Sequence, residues 1–139
     1  MARSLRSFAH SRCDIQIHIV FVTKFRHPVL NEQIEYEIIE MCKNICEKNR
    51  CYLKEAKADL VLKDHIHLLI DFAPDVSVST IVNTMKTVTS REIRKRHAQY
   101  LKPFYWKPFF WKRGYCAVSG GGASIEVIKQ YIQSQGNED

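Results

Sequence analysis

Asp64-His65-Ile66-His67-Leu68-Leu69-Ile70-Asp71-Phe72 alternates its residue types with period two. Successive strand side chains point to opposite faces, so Ile66, Leu68, Ile70 and Phe72 make one apolar stripe, while His65, His67, Leu69 and Asp71 share the other face. Such a strand buries its stripe and displays two imidazoles side by side. Residues two apart on a strand lie about 6.6 Å apart along the backbone, within reach of one common ion. Alternating histidines are more often structural than ligating, and the spacing permits a chelate without establishing one.

Outward from this strand the pattern predicts further elements. Ile15 to Thr23 alternates as a half-buried strand. Asn31 is placed to cap a helix running to about Asn49, with Ile34, Ile38, Met41, Cys42 and Ile45 inward. Tyr52 to Leu62 reads as a second strand, turning tightly at Lys63-Asp64 into the histidine strand. Ser77 caps a second helix with Val78, Ile81, Val82, Met85 and Val88 inward and Lys86, Arg91, Arg94 and Lys95 outward. A proline-punctuated loop follows, then a fourth strand over Phe109 to Val118. Ser119-Gly120-Gly121-Gly122 releases the chain into a last helix starting at Ala123 or Ser124, with Ile125, Ile128 and Ile132 on its apolar side. The order strand-helix-strand-strand-helix-strand-helix is that of an α+β, ferredoxin-like antiparallel sheet with an additional C-terminal helix.

At 139 residues, with 45% hydrophobic composition, the chain suits one domain with a single core. No run of eighteen apolar residues and no signal-peptide pattern is present, so neither a membrane span nor export is expected and a cytoplasmic location is. Five cysteines, an odd number without Cys-x-x-Cys spacing, argue against a disulfide framework or a zinc ribbon. The net charge of +6 is unevenly spread. Lys86 to Tyr115 holds nine Lys and Arg against Glu92 alone, and the remainder of the chain is slightly acidic.

That basic segment also contains eight of the fifteen aromatics, between Tyr100 and Tyr115. Aromatic faces stack bases while cations hold phosphates, the combination used for single strands. Several of these rings must nevertheless fill the core, since a strand cannot expose both its faces. In the last helix Tyr131 and Gln135 are four apart and share a face, so a nucleophile and a ligand have room to occupy one site. Read singly, Tyr131 is a core-edge aromatic and Gln135 an ordinary helix-end residue.

Taken together, His65-Ile66-His67, the late Trp111-Lys112-Arg113-Gly114-Tyr115 and the terminal Tyr131-Ile132-Gln133-Ser134-Gln135 resemble the single-tyrosine HUH transposases of small bacterial and archaeal insertion sequences. His18 to Leu30 is similar to that family's exit from strand one, and the likeness spans nearly the whole chain. It implies one domain over 1–139 with a tyrosine helix at 124–135; the residues themselves add a basic tail at 1–12 and a glycine-rich hinge at 119–123, a run richer in glycine than the family's usual linker. It further implies that His65, His67 and Gln135 hold a divalent ion, Mg²⁺ or Mn²⁺, and that Tyr131 attacks a DNA phosphodiester with no nucleotide cofactor. The implied partners are single-stranded DNA with hairpins at element ends and a second copy of the chain, the tyrosine helix of one subunit meeting the histidines of the other. Arg12, Arg91, Arg94 and Lys112 are candidate DNA contacts on charge and placement.

Rival readings make distinct demands. A non-enzymatic RNA-binding domain shares the element order but should carry aromatics where His65 and His67 stand. A rolling-circle initiator or relaxase usually needs further domains, a hydrolytic metal nuclease does not need Tyr131, and a domesticated hairpin-processing relative would share every residue named.

Overall fold

The computed structural model describes residues 5–120 and 122–136. A four-stranded antiparallel sheet is ordered β4-β5-β3-β6, from β3 (Gln16–Val22), β4 (Tyr52–Ala58), β5 (His65–Asp71) and β6 (Cys116–Ser119). Its helices are α1 (Glu32–Lys48), α2 (Val78–Arg96), the short α3 (Ala98–Leu101) and α4 (Gly122–Ser134). The α+β ferredoxin-like order expected from the sequence is present.

The period-two pattern divides the sheet as anticipated. Ile19 and Phe21 on β3, with Ile66, Leu68 and Ile70 on β5, pack beneath Ile34 and Ile38 of α1 and Ile81 and Met85 of α2 in the main core. Each such side chain stabilises the fold by about 1.5–3 kcal/mol relative to leaving it in water. On the other face Val20, Val22 and Cys116 form a second, smaller cluster with Ile128, against which Val118, Tyr131 and Ile132 pack. Two helices therefore cover one face, and α4 lies on the face that carries the histidines. The caps are also as read: Asn31 Oδ1 accepts from the Ile34 amide at 2.9 Å, and Ser77 Oγ from Thr80 at 3.4 Å.

Several boundaries differ from the sequence reading. Residues 5–12, expected within a basic tail, include a small antiparallel hairpin of β1 (Arg6–Phe8) and β2 (Ser11–Cys13), which Arg6 fastens by donating to the Asp71 carbonyl at 2.8 Å. The strand expected to run to Leu62 stops at Ala58, because Asp59 Oδ1 accepts from the amides of both Val61 and Leu62 at 2.8 Å and opens a wider turn than Lys63-Asp64 alone.

The late strand shrinks to β6. Thr23 bridges Trp111 and Val20 pairs with Cys116, so five steps along the late segment oppose three along β3. The surplus bulges out at Lys112 to Gly114 and turns on Gly114, whose φ of +79° suits glycine. Lys86, expected outward, instead bends in and donates to the carbonyls of Lys112 at 2.8 Å and Gly114 at 2.7 Å. The last helix begins at Gly122, inside the expected hinge; Gly121 lies outside the described residues. Ile128 of α4 is buried as expected, but Ile125 is exposed.

Candidate active site

His65 and His67 project from β5 onto the α4 face, opposite Val22 and Val20 of β3. With Lys57, Ala58, Asp59 and Ile132 they line a depression of about 250 Å³.

Each imidazole has a different neighbour. The buried Asp64, immediately before the strand, holds His65 Nδ1 at 2.8 Å with one oxygen and Arg26 Nε at 2.9 Å with the other. Burial alone would raise the Asp64 pKa, but the bonds to His65 and Arg26 outweigh it and hold the carboxyl below its ordinary value. A carboxylate on Nδ1 fixes the proton there and leaves the Nε2 lone pair of His65 outward, as metal-ligating histidines require. Asp59 Oδ2 stands 3.8 Å from that Nε2. His67 Nε2 meets His18 Nδ1 at 2.8 Å, with the two rings within 13° of parallel. Nitrogens this close share a proton edge to edge, since ring faces cannot approach so nearly. Burial, then the nearby His18 and His65, lowers the His67 pKa, and burial lowers that of His18, which favours the neutral imidazole that a ligand must be.

The donor chemistry suits a divalent ion in part. His65 is oriented for it, whereas His67 has to exchange His18 for the ion. The Gln135 amide contacts Ser134 Oγ at 3.4 Å, and no group of three His, Cys, Asp or Glu side chains is gathered for an ion among the described residues.

Tyr131 is half-buried on the same face, packed on the cluster of Val20, Val22, Cys116 and Ile128. Val20 and Val22 are the register partners of His67 and His65, so the cluster under the tyrosine adjoins the histidine strand, while the next helix residue, Ile132, lines the histidine depression itself. Burial, and secondarily Cys116, raises the Tyr131 pKa. The end of its helix is held by Arg26, whose Nη1 donates to the carbonyls of Ile132 at 3.1 Å and Gln135 at 2.8 Å. The turn that delivers Arg26 is strained: Phe25 and Arg26 have φ of 58° and 53°, a region costing a non-glycine residue about 1–3 kcal/mol. Phe25 is held there between Trp106, stacked at 5.4 Å, and the edge of Phe109.

The candidate DNA contacts separate. Arg91 and Arg94 border a groove of about 500 Å³ between α2 and the aromatic loop, together with Lys24, Lys86, Phe109 and Arg113. Arg94 also borders an adjoining groove of about 390 Å³ with Lys102, Trp106 and Lys107. Trp106 is 70% exposed there, whereas Tyr105, Phe110 and Trp111 are core, which sorts the aromatic run as its length required. Arg12 is exposed on β2 and lines neither groove. Lys112 is buried and reaches the Gly136 carbonyl at 3.3 Å, so it braces the chain end rather than presenting a surface charge.

Sequence reasoning passed over His18 and Arg26. The signal for His18 was available, since it shares parity with Val20 and Val22 and so faces the histidines once β3 pairs with β5. Arg26 left no such trace, because its role arises from a left-handed backbone and two distant carbonyls.

Residues 11–135 match the family model described as Transposase IS200 like. The chain belongs to the IS200-like transposase family. This IS200-like transposase is 31% identical over 134 residues to the transposase for insertion sequence element IS200 of Salmonella typhimurium, a match covering 96% of this chain and 85% of that protein. It is 25% identical over 126 residues to the ISDra2 transposase TnpA of Deinococcus radiodurans, covering 91% and 87%. The crystal structure of a Deinococcus radiodurans protein assigned as a transposase superposes with a TM-score of 0.82 at 21% identity over 94% of this chain and 98% of that one. A REP-associated tyrosine transposase bound to a REP hairpin superposes at 0.51, with 14% identity over 93% and 68%. At these identities the structural likenesses speak for the fold, while the family match makes the IS200-like transposase a DNA-processing enzyme of mobile elements. None of its described helices is long and apolar enough to cross a membrane.

Proposed function

We propose that this transposase cleaves and rejoins single-stranded DNA at insertion-sequence ends, with Tyr131 as nucleophile. The observation that supports the reading is the packing of Tyr131 on the cluster of Val20, Val22, Cys116 and Ile128, two of whose members pair with His67 and His65, so that phenol and imidazoles share one sheet face. The phenolate attacks the scissile phosphorus, the 3′-oxygen leaves as a hydroxyl and the phosphate remains on Tyr131 as a 5′-phosphotyrosine. Because the ester keeps the energy of the broken bond, a 3′-hydroxyl from another end reverses the step without a nucleotide cofactor. His65 and His67, with Gln135 turned from Ser134, would hold Mg²⁺ or Mn²⁺, which would supply charge stabilisation at the phosphate.

The chain's own residues account for the remainder. Asp64 sets the His65 tautomer, α4 sets the position of Tyr131, and the raised phenol pKa makes activation at the phosphate necessary. The grooves along Arg91, Arg94 and Trp106 suit phosphates and unstacked bases. A hairpin as the substrate is supported by the REP hairpin held by the tyrosine transposase of like fold. The RNA-binding alternative loses ground because the central strands display His18, His65 and His67 on that face, with no aromatic stacking platform on β5.

The test is a single-stranded hairpin oligonucleotide incubated with the protein and Mg²⁺ or Mn²⁺, followed by a denaturing gel. A covalent adduct is expected, absent in Tyr131→Phe while hairpin binding persists. Strand cleavage by Tyr131→Phe without an adduct would instead mark a hydrolytic nuclease.

A further inference from the structure

We propose that Arg26 is a positioning residue that couples the two halves of the site, so that docking of α4 and orientation of His65 rise and fall together. The inference rests on the reading of His65 as a metal ligand and of α4 as the carrier of the nucleophile.

One guanidinium makes every link. Its Nε donates to Asp64 Oδ2 at 2.9 Å, and Asp64 Oδ1 holds His65 Nδ1 at 2.8 Å. Its Nη1 donates to the carbonyls of Ile132 and Gln135 at 3.1 and 2.8 Å. The last carbonyls of a helix lack intrahelical partners, and a cation there also complements the negative end of the helix dipole. The Arg26 side chain is only 16% exposed and that of Asp64 8%, so solvent screens these links little. Nor can Arg26 drift to serve one side alone. Its own amide is bonded to the Thr23 carbonyl at 2.9 Å, Thr23 Oγ1 donates to the His27 carbonyl at 2.8 Å, and Phe25 is wedged against Trp106 and Phe109. The left-handed pair Phe25-Arg26 is thus fixed from both ends, and the fork of the guanidinium spans two elements whose relative position it sets. A lysine, a point charge without the planar fork, cannot satisfy Asp64 and both carbonyls in this geometry. If a second copy supplies α4, its carbonyls occupy the same place and the coupling is unchanged.

Coupling between two sites is reciprocal, which gives a readout independent of cleavage. Hydrogen exchange of residues 125–135 is followed by mass spectrometry with and without Mn²⁺, and Mn²⁺ affinity is measured by electron paramagnetic resonance titration. In the unmodified protein Mn²⁺ should slow exchange of α4. In Arg26→Gln basal exchange of α4 should be faster, Mn²⁺ should no longer slow it, and affinity should drop about ten- to a hundredfold, the usual effect of losing support behind a ligating histidine. Asp64→Asn should lose the affinity and weaken the basal protection of α4, though less than Arg26→Gln does, and Arg26→Gln/Asp64→Asn should bind no more weakly than the weaker single variant. Arg26→Lys should fall between, and it decides the matter if Arg26→Gln does not fold. Unmodified affinity and unmodified exchange in the Arg26 variants would overturn the proposal. If the unmodified protein binds no Mn²⁺ at His65 and His67, the metal reading of the site fails instead, and basal exchange in Arg26→Gln still reports whether Arg26 docks α4.

Discussion

At the scale of single residues, the histidine face is built from neighbours that compete for the same lone pairs. For His67 to hold an ion as proposed, its Nε2 would have to give up a ring-to-ring hydrogen bond with His18. A hydrogen bond of this kind is worth about 0.5–1.5 kcal/mol net, so His18→Leu should tighten Mn²⁺ binding by about two- to tenfold. Calorimetric or resonance titration checks this, and weaker binding in the variant would make His18 a support of the ligand instead of a rival. The shared strand face of His65 and His67 and the place of Tyr131 on a last helix were legible in the sequence because strand parity and helical spacing are local. His18 required knowledge of which strands pair, and Arg26 required the path of the backbone through a left-handed turn, which no residue type there announces.

At the scale of elements, the helices that back the sheet are clamped at one end by charge. Glu37 on α1 receives hydrogen bonds from Arg96 at 3.3 Å and from His97 at 3.0 and 3.1 Å, at the end of α2. Burial pushes its pKa up, but the bonds from Gln33, His97 and Arg96 prevail and hold it below the ordinary value. A depressed carboxylate adds stability that is full above its unfolded value, about 4.3, and is lost as pH falls through the folded one. Melting temperature should therefore hold from neutrality to about pH 5 and decline below about pH 4. Glu37→Gln should melt lower at neutral pH and show a shallower acid decline; an identical decline would assign the acid limb to other carboxylates. The starts of α1 and α2 were readable to the residue because Asn31 and Ser77 cap them and their apolar positions keep one period. The Phe109 to Val118 strand was overextended for a physical reason. Its composition is strand-like throughout, but pairing with β3 tolerates only two separate contacts, and Lys86 with Gly114 fixes the excess as a bulge.

At the scale of the whole molecule, the two basic grooves share no lining residue with the histidine depression. If the grooves at Arg91, Arg94, Lys102 and Lys107 hold the DNA backbone, log affinity for a hairpin should fall linearly with log salt. Arg94→Ala should reduce that slope by about one, whereas Lys112→Ala should leave it in place and loosen the chain end. A salt-independent affinity would remove the grooves from the interface. For assembly, we expect a homodimer whose subunits exchange α4, since the contacts that α4 makes with its own sheet are the ones a second copy would offer. Mixing Tyr131→Phe with His67→Ala should then restore adduct formation through one intact composite site. No restoration would keep nucleophile and histidines in one chain.

The second apolar cluster has a bearing on how such an element decays. Val20, Val22 and Cys116 are sheltered by α4, which follows every strand of the sheet along the chain. A stop codon soon after Gly120 therefore removes more than the chemistry: it bares a greasy patch beside β6, a short strand at the sheet edge. The shortened protein should pellet on expression, whereas Tyr131→Phe stays in the supernatant. A copy broken ahead of α4 would thus leave little folded product, and the helix that carries Tyr131 also keeps the sheet that it covers in solution.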